Sequence, residues 1–431
     1  MLRDVLIEQK REFDERSTAL YVERDRPPTL WGDDDQIEVI IGPRRSGKSC
    51  LAEHTLHSAK GTCGYVNFDD ERLAGVRSFD DVLVAVDAIY GSPRFLLLDE
   101  IQNLPQWELV VNRLQRQGRK LVLTGSNSNL LSAELATHLT GRHREILLFP
   151  FSFREVLRFP NVERTLAEEK GRLEQYARQG GFPEPLVKKL DYHEYLRTLV
   201  NSVLYKDIVR RYKIRSIQGL EDLARYLFSN IAKEYSCRNL VATTQCRSVH
   251  TVQKYLRHMA TAFLFFSVPR FSFKVREQAS FNKKLYCTDN GMATALGIRF
   301  SRDDGRLYEN LVAVALRKRE LTHEIQLFFW KNVQNEEVDF VIKEGPKVTS
   351  LIQVCADPSA AGTRDREVRA LLKAGADLGC RNLIVLTADH EHDDQAEWFG
   401  KKGRIRYVPI WKWLKLEGRA GQERATERAR P

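Results

Sequence analysis

The first third of the chain is expected to form an α/β domain on a parallel sheet. Three observations carry this. Short apolar, β-rich runs recur at Ile37–Ile41, Gly64–Phe68, Phe95–Leu98, Lys120–Thr124 and Glu145–Phe149. Amphipathic segments such as Val82–Tyr90 and Trp107–Gln117 lie between them. The first run ends directly in a glycine-rich turn, as a buried strand feeding a helix does. Strands that alternate with helices need crossover connections, and these give a parallel sheet.

The bulk numbers narrow the classes. At 431 residues the chain has room for roughly two to four domains. Its 42% apolar and 29% charged residues suit a folded globular protein. Apolar runs such as Phe95–Leu98 and Ala262–Phe266 are far shorter than the roughly 18 residues of a membrane span. Acids interrupt the apolar residues of the first ten positions, so no secretory signal is expected. Lysine and arginine exceed aspartate and glutamate by 68 − 58 = 10, a basic balance that favours polyanions. Seven cysteines are scattered without a Cys-x-x-Cys pair, which fits a reducing cytoplasm and argues against zinc ribbons and disulfide frameworks.

Further along, residues 1–30 read as a polar helical extension running to about Pro28, and residues 31–155 as the α/β core. Residues 156–215 are helical, with a break at Gly180-Gly-Phe-Pro-Glu184. Residues 216–295 hold a helix at Gly219–Lys233, another at Ser248–Met259, and an alternating stretch, Pro269–Arg276. Residues 296–416 open with a helix at Leu307–Glu320, followed by strands at Ile325–Trp330, Glu337–Ile342 and Ser350–Val354. The Arg-rich end, 417–431, has too little apolar content for a core and is expected to be disordered.

Gly42-Pro43-Arg44-Arg45-Ser46-Gly47-Lys48-Ser49 matches Gly-x(4)-Gly-Lys-Ser/Thr in full, after a strand and before a helix, with Cys50 next in line. Glycines let the backbone close around phosphates, and the amides of the loop and helix start point at them. Lys48 would neutralise the β- and γ-phosphate oxygens of ATP, and Ser49 would bind Mg²⁺. About fifty residues on, Phe95-Leu-Leu-Leu-Asp99-Glu100 delivers two carboxylates to a strand tip. Asp99 would hold Mg²⁺ and Glu100 would act as general base. Ser126 and Asn127, at the end of the next strand, have two readings: orienting water or the γ-phosphate, or capping a helix. Thr140-Gly-Arg142-His-Arg144 occupies the place where ring-forming P-loop ATPases carry an arginine finger. Arg142 is the first candidate and Arg144 the second, against the alternative of a solvated helix end.

Taken with Tyr65–Leu73, Leu98–Gln102, Thr124–Ser128 and Leu135–Phe153, these motifs resemble the archaeal and bacterial AAA-type ATPases with an uncharacterised C-terminal domain. Gly180–Glu184, Asp207–Tyr212, Lys284–Asp289 and Glu337–Phe340 extend the likeness over nearly the whole chain. The resemblance implies an AAA-type P-loop NTPase core with a helical lid, a winged helix, and a smaller α/β restriction-endonuclease-like end domain.

Between Arg247 and Lys284 eight cations face one acid, Glu277. Ser248–Leu256 has the form of a recognition helix, with Val252, Tyr255 and Met259 turned to a core. Arg247, His250, Lys254 and Arg257 would meet DNA from the helix, and Arg270, Lys274 and Arg276 from a wing. The alternative is a winged helix used only for protein contacts. Tyr205–Ser216 adds five cations against Asp207. Restriction-like nucleases pair a helix acid with a strand Asp and a Glu-x-Lys on the next strand, where the acids hold Mg²⁺. Here those places fall on Glu309, Asp339, Gln353 and Cys355, so cleavage is expected to be lost.

The expected activity is Mg-dependent ATP hydrolysis coupled to DNA binding or remodelling, in a cytoplasmic homo-oligomer such as a hexameric ring. One alternative is a nucleotide-gated switch on a protein partner in defence or signalling. Another is an ATP-regulated, metal-dependent nuclease.

Overall fold

The computed structural model describes residues 2–16, 20–25, 36–57, 61–76, 78–127, 143–298, 304–357 and 361–417. They group into two compact units. The first comprises residues 1–150 with 261–263, and the second comprises residues 151–260 with 264–431.

In the first unit, β1 (Ile37–Ile41), β2 (Cys63–Asn67), β3 (Phe95–Asp99), β4 (Lys120–Gly125) and β5 (His143–Leu147) form one parallel sheet in the order β2-β3-β4-β1-β5. Every residue of β1 and β3 is buried, which explains why they read as mostly apolar runs, broken in β1 only by Glu38. The order matters for the site. Because β4 lies between β1 and β3, the tips of all three strands end side by side. The fifth strand begins at His143 rather than Glu145 and stops at Leu147, and Leu148 and Phe149 continue as buried non-strand chain.

The N-terminal helix is shorter than its charge pattern suggests. It spans Leu2–Arg16, and residues 20–25 are irregular, with Pro27 and Pro28 outside the described residues. Its buried stripe is Val5, Leu6, Gln9 and Phe13. Phe13 stacks on Tyr65 of β2 at 5.2 Å and on His57 at 4.6 Å, and Gln9 exchanges hydrogen bonds with the Asn67 main chain.

The second unit begins with helices Phe153–Leu157, Leu166–Gln179, Pro183–Lys188 and Tyr192–Ser202, then a π-helical stretch, Val203–Arg210. Ser152 with Glu155, and Thr165 with Glu168, form reciprocal capping boxes that fix two of the helix starts. Helices Ile217–Ser229, Cys237–Thr243 and Val249–Thr261 accompany an antiparallel sheet of β6 (Lys233–Tyr235), β7 (Phe265–Pro269) and β8 (Lys283–Cys287), in the order β6-β8-β7. The alternating stretch after Pro269 is not a strand. Residues Val275–Ser280 form a short helix, and Lys274 pairs locally with Glu277 at 3.2 Å.

Helix Asp304–Leu321 leads into a mixed sheet in the order β13-β14-β12-β11-β10-β9. Its strands are β9 (Gln326–Lys331), β10 (Glu337–Glu344), β11 (Lys347–Val354), β12 (Leu383–Thr387), β13 (His392–Trp398) and β14 (Lys401–Pro409). The crossover from β11 to its parallel neighbour β12 is helix Ala361–Leu378. The tail from residue 418 lies outside the described residues, as do Gly141 and Arg142.

Gly180 and Gly181 have a steric reason to be glycine. Gly180 has φ +76°, and a Cβ there would sit 1.8 Å from Oδ1 of Asp289. A Cβ on Gly181 would lie 2.2 Å from the Phe151 carbonyl oxygen. The close approach lets the Gly181 amide donate to Asp289 Oδ2 at 2.7 Å, while Asp289 Oδ1 accepts from the Gly291 amide at 2.9 Å. Burial raises the Asp289 pKa to about 6, although the amides of Gly181, Gly291 and Met292 oppose it. A carboxyl that holds its proton more tightly when folded contributes stability at low pH and loses it as the pH rises through the folded value. The wild-type chain should therefore lose stability between about pH 4 and pH 6 relative to Asp289→Asn, read as the difference in urea midpoint. A pH-independent difference would contradict this.

Candidate nucleotide site and the acidic centre of the second unit

The loop after β1 is forced into its shape. A Cβ on Gly42 would lie 1.9 Å from the Leu148 carbonyl oxygen, and the Gly42 amide donates to Gly125 O at 3.3 Å. Arg45 (φ 65°) and Gly47 (φ 95°) take left-handed conformations, the alternation that turns successive amides into an anion-binding nest. The helix then starts at Lys48. Pro43 is buried, Arg44 pairs with Asp69 at 2.6 Å, and Arg45 and Cys50 are exposed. The buried Ser46 hydroxyl has no hydrogen-bond partner inside the protein. An orphaned hydroxyl in a ring of amides is what an absent anion leaves behind, so the donor set fits a polyphosphate.

Lys48 is 4% exposed, and its Nζ donates to Pro43 O at 3.0 Å and lies 3.6 Å from Glu100 Oε1. Ser49 Oγ donates to Asp99, 2.9 Å from both carboxylate oxygens. Tyr65 OH reaches Asp99 Oδ2 at 3.3 Å, and Thr124 Oγ1 donates to Asp99 Oδ1 in a short bond. Thr124 Oγ1 also accepts from the Glu100 amide at 3.0 Å, so one hydroxyl on β4 holds both acids of β3. Burial, with Glu100 beside it, raises the proton affinity of Asp99 against the pull of Thr124, Ser49 and Lys48. An Mg²⁺ ion held by Ser49 and Asp99 would reverse that balance.

Glu100 has φ 52° and ψ 45°, a left-handed conformation rare for a non-glycine residue and a mark of strain at working sites. Its Oε2 accepts from the Ser126 amide at 3.2 Å, from Ser126 Oγ at 2.9 Å, and from Gln102. Burial alone would push its pKa up. Lys48, Gln102 and Ser126 outweigh burial and hold it below the usual value, so the group is an anion at neutral pH. The expectation for Ser126 is thereby sharpened, since its hydroxyl touches the acid. Asn127 is buried beside it.

Arg144 is not on a helix end. It lies in β5 and pairs with Glu38 of β1 at 3.2 Å. The earlier preference, Arg142, lies outside the described residues. Sequence reading missed Thr124, Gln102 and Arg24. The Arg24 guanidinium donates to the Phe149 carbonyl and, at 3.5 Å, to that of Ser46, bracing the loop from the N-terminal segment. Thr124 and Gln102 lie inside the quoted motifs Thr124–Ser128 and Leu98–Gln102, but nothing in their residue type marks the contacts they make, and Arg24 lies in no motif.

In the second unit, Glu309 and Asp339 come together around a residue from a different place, and Gln353 joins them through Asp339. Lys284 of β8 sends Nζ to Glu309 at 2.9 Å, Asp339 at 2.8 Å and Glu337 at 2.6 Å. Lys284 is the last of the eight cations of the basic stretch, and it is 3% exposed. Burial disfavours its charge, yet Asp339, Glu309 and Glu337 hold its pKa well above the ordinary value. Gln353 Oε1 accepts from the Asp339 amide at 3.1 Å. Burial pushes the Cys355 thiol up to about 11, so it is no nucleophile at neutral pH.

Arg247, His250, Lys254 and Arg257 are exposed, and the last three are spaced along one face of helix Val249–Thr261, while Val252, Tyr255 and Met259 are buried. His258 stacks on Tyr212 at 3.6 Å, and Lys206, Arg210, Lys213 and Arg215, near Tyr212 in sequence, are all exposed. The wing expectation fails for Arg270, whose guanidinium donates to the Lys331 carbonyl and lies 4.4 Å from the Phe281 ring. Lys274 and Arg276 are exposed but on the short helix and its cap, not a strand.

Family models match three successive segments: an AAA domain at residues 34–157, and domains of unknown function at 170–303 (DUF8612) and 304–413 (DUF4143). The chain is 34% identical over 401 residues to the uncharacterized protein MJ1544 of Methanocaldococcus jannaschii, covering 88% of each chain. It is 29% identical over 332 residues to an uncharacterized protein of Haemophilus influenzae, covering 82% of that protein. Among the described residues no helix is long and apolar enough to cross a membrane. The nucleotide cradle described above falls inside the AAA match, and at that identity and coverage the chain belongs to one family with the archaeal protein MJ1544.

Proposed function

We propose that the chain is a Mg-dependent ATPase whose nucleotide state is coupled to DNA. The observation that carries the enzymatic part is the arrangement at the three strand tips. Lys48 and the loop amides would hold the phosphates, and Ser49 with Asp99 the metal, which supplies charge neutralisation when bound. Glu100 is ionised, and its Oε2 is occupied by Ser126 and Gln102, so Oε1 is the oxygen that takes a proton from an attacking water.

The coupling rests on charge and topology. In residues 217–287, helices Ile217–Ser229, Cys237–Thr243 and Val249–Thr261 with the β6-β8-β7 sheet support a winged-helix reading, with the short helix Val275–Ser280 between β7 and β8. Helix Val249–Thr261 carries the exposed face His250, Lys254 and Arg257. A face of this kind supports phosphate contacts, which position a protein on DNA without reading its sequence. We read the end domain, a mixed sheet with Gln353 and Cys355 where a nuclease would carry Glu and Lys, as a binding or scaffolding module. Assembly into a ring is part of the reading, with Arg142 as the residue that reaches a neighbour's nucleotide.

Glu100→Gln should lower ATP turnover about 10²–10⁴-fold and leave nucleotide binding intact, whereas Lys48→Ala should lose binding. Unchanged turnover in both variants contradicts the site. Reversing Lys254 and Arg257 to Glu should weaken duplex DNA binding and flatten its dependence on salt by about one counterion per lost phosphate contact. If DNA neither binds nor stimulates hydrolysis, a nucleotide-gated switch on a protein partner is the better reading.

A further inference from the structure

A nuclease-like end domain implies a divalent metal among its acids, and the residues here do not accommodate one. Glu309 from helix Asp304–Leu321, and Glu337 and Asp339 from β10, converge on one atom, Lys284 Nζ, at 2.9, 2.6 and 2.8 Å. An ammonium has three protons to donate, and three carboxylates receive them.

Other protein groups also meet these carboxylates. Tyr286 OH donates to Glu309 Oε1 at 2.7 Å, the Val354 amide donates to Asp339 Oδ2 at 2.9 Å, and Lys331 Nζ lies 3.6 Å from Glu337 Oε2. Gln353, which stands where a ligating acid would, turns its carbonyl to the Asp339 amide. Among the described residues no set of three or more His, Cys, Asp or Glu side chains is arranged to hold a metal ion.

We propose that Lys284 is a built-in cation that takes the place of the metal in this centre, supplied to the 304–413 domain by the last strand of the domain before it. Lys284 sits on β8, paired on one side with β6 and on the other with β7, so both neighbours fix its backbone position. The same ammonium lies 5.8 Å from the Phe329 ring of β9, which closes a further side. The centre is thus an ionic joint between two domains, closed to Mg²⁺ for as long as β8 stays in place. A carboxylate cluster with a fixed internal counterion gains little from a hydrated divalent ion, because the ion must displace an ammonium that already meets every acid.

The test counts bound Mn²⁺ by electron paramagnetic resonance on the full chain without nucleotide. Wild type, Glu309→Gln and Asp339→Asn should bind the same number of ions, because the centre holds none. Lys284→Met removes the ammonium at similar length and should bind one more ion per chain, lost again in Lys284→Met/Asp339→Asn. A wild-type ion that disappears in Glu309→Gln or Asp339→Asn overturns the proposal. So does a folded Lys284→Met that gains none. Should Lys284→Met fail to fold, the comparison of wild type with the two acid variants decides alone: equal counts support the proposal and a lost ion overturns it.

Discussion

The structure of the first unit turns on one hydroxyl. Thr124, at the tip of β4, donates to Asp99 and accepts from the amide of Glu100, and so fixes both acids of the neighbouring strand. That contact exists only because β4 is inserted between the strand carrying the phosphate loop and the strand carrying the acids. With the acids held, Ser49 reaches Asp99 and Lys48 lies near Glu100. The two halves of the candidate site, distant in sequence, become one polar cluster removed from water. Inside such a cluster charge is worth more than at the surface, and an uncompensated group costs more.

The two acids answer this in opposite ways. Asp99 meets burial and a like charge, and its proton affinity rises; a metal ion is the partner that would restore its charge. Glu100 meets burial too, but a lysine and three donor hydrogen bonds keep it ionised. A metal ligand and a base next to each other on one strand therefore need different surroundings, and β1 and β4 provide them. The N-terminal segment adds to this from outside the AAA match. Phe13 packs on Tyr65, which touches Asp99, and Arg24 bridges the Ser46 and Phe149 carbonyls.

Much of this was legible in the residues. Mostly apolar, β-rich runs at Ile37–Ile41 and Phe95–Leu98 mark strands buried on both faces, and each ends in the residues of the candidate site. The glycine spacing of the loop has a backbone cause, and so do Gly180 and Gly181. What stayed hidden depends on contacts between segments far apart. Lys284 looked like one more cation in a basic stretch, and only the fold brings it against acids that lie 25 to 55 residues further on. Arg270 read as a wing residue because it opens a stretch in which Phe271, Phe273 and Val275 alternate with polar residues. The alternation serves instead an edge-to-face packing of Phe271 on Phe328 of β9.

The most direct test of the central claim is a crystal structure of the full chain with Mg²⁺ and a non-hydrolysable ATP analogue. The account predicts the triphosphate within residues 42–49, with the Ser46 hydroxyl, orphaned in the free protein, bonded to a phosphate oxygen and the metal between Ser49 and Asp99. A nucleotide bound at any other surface, with that loop empty, would contradict it.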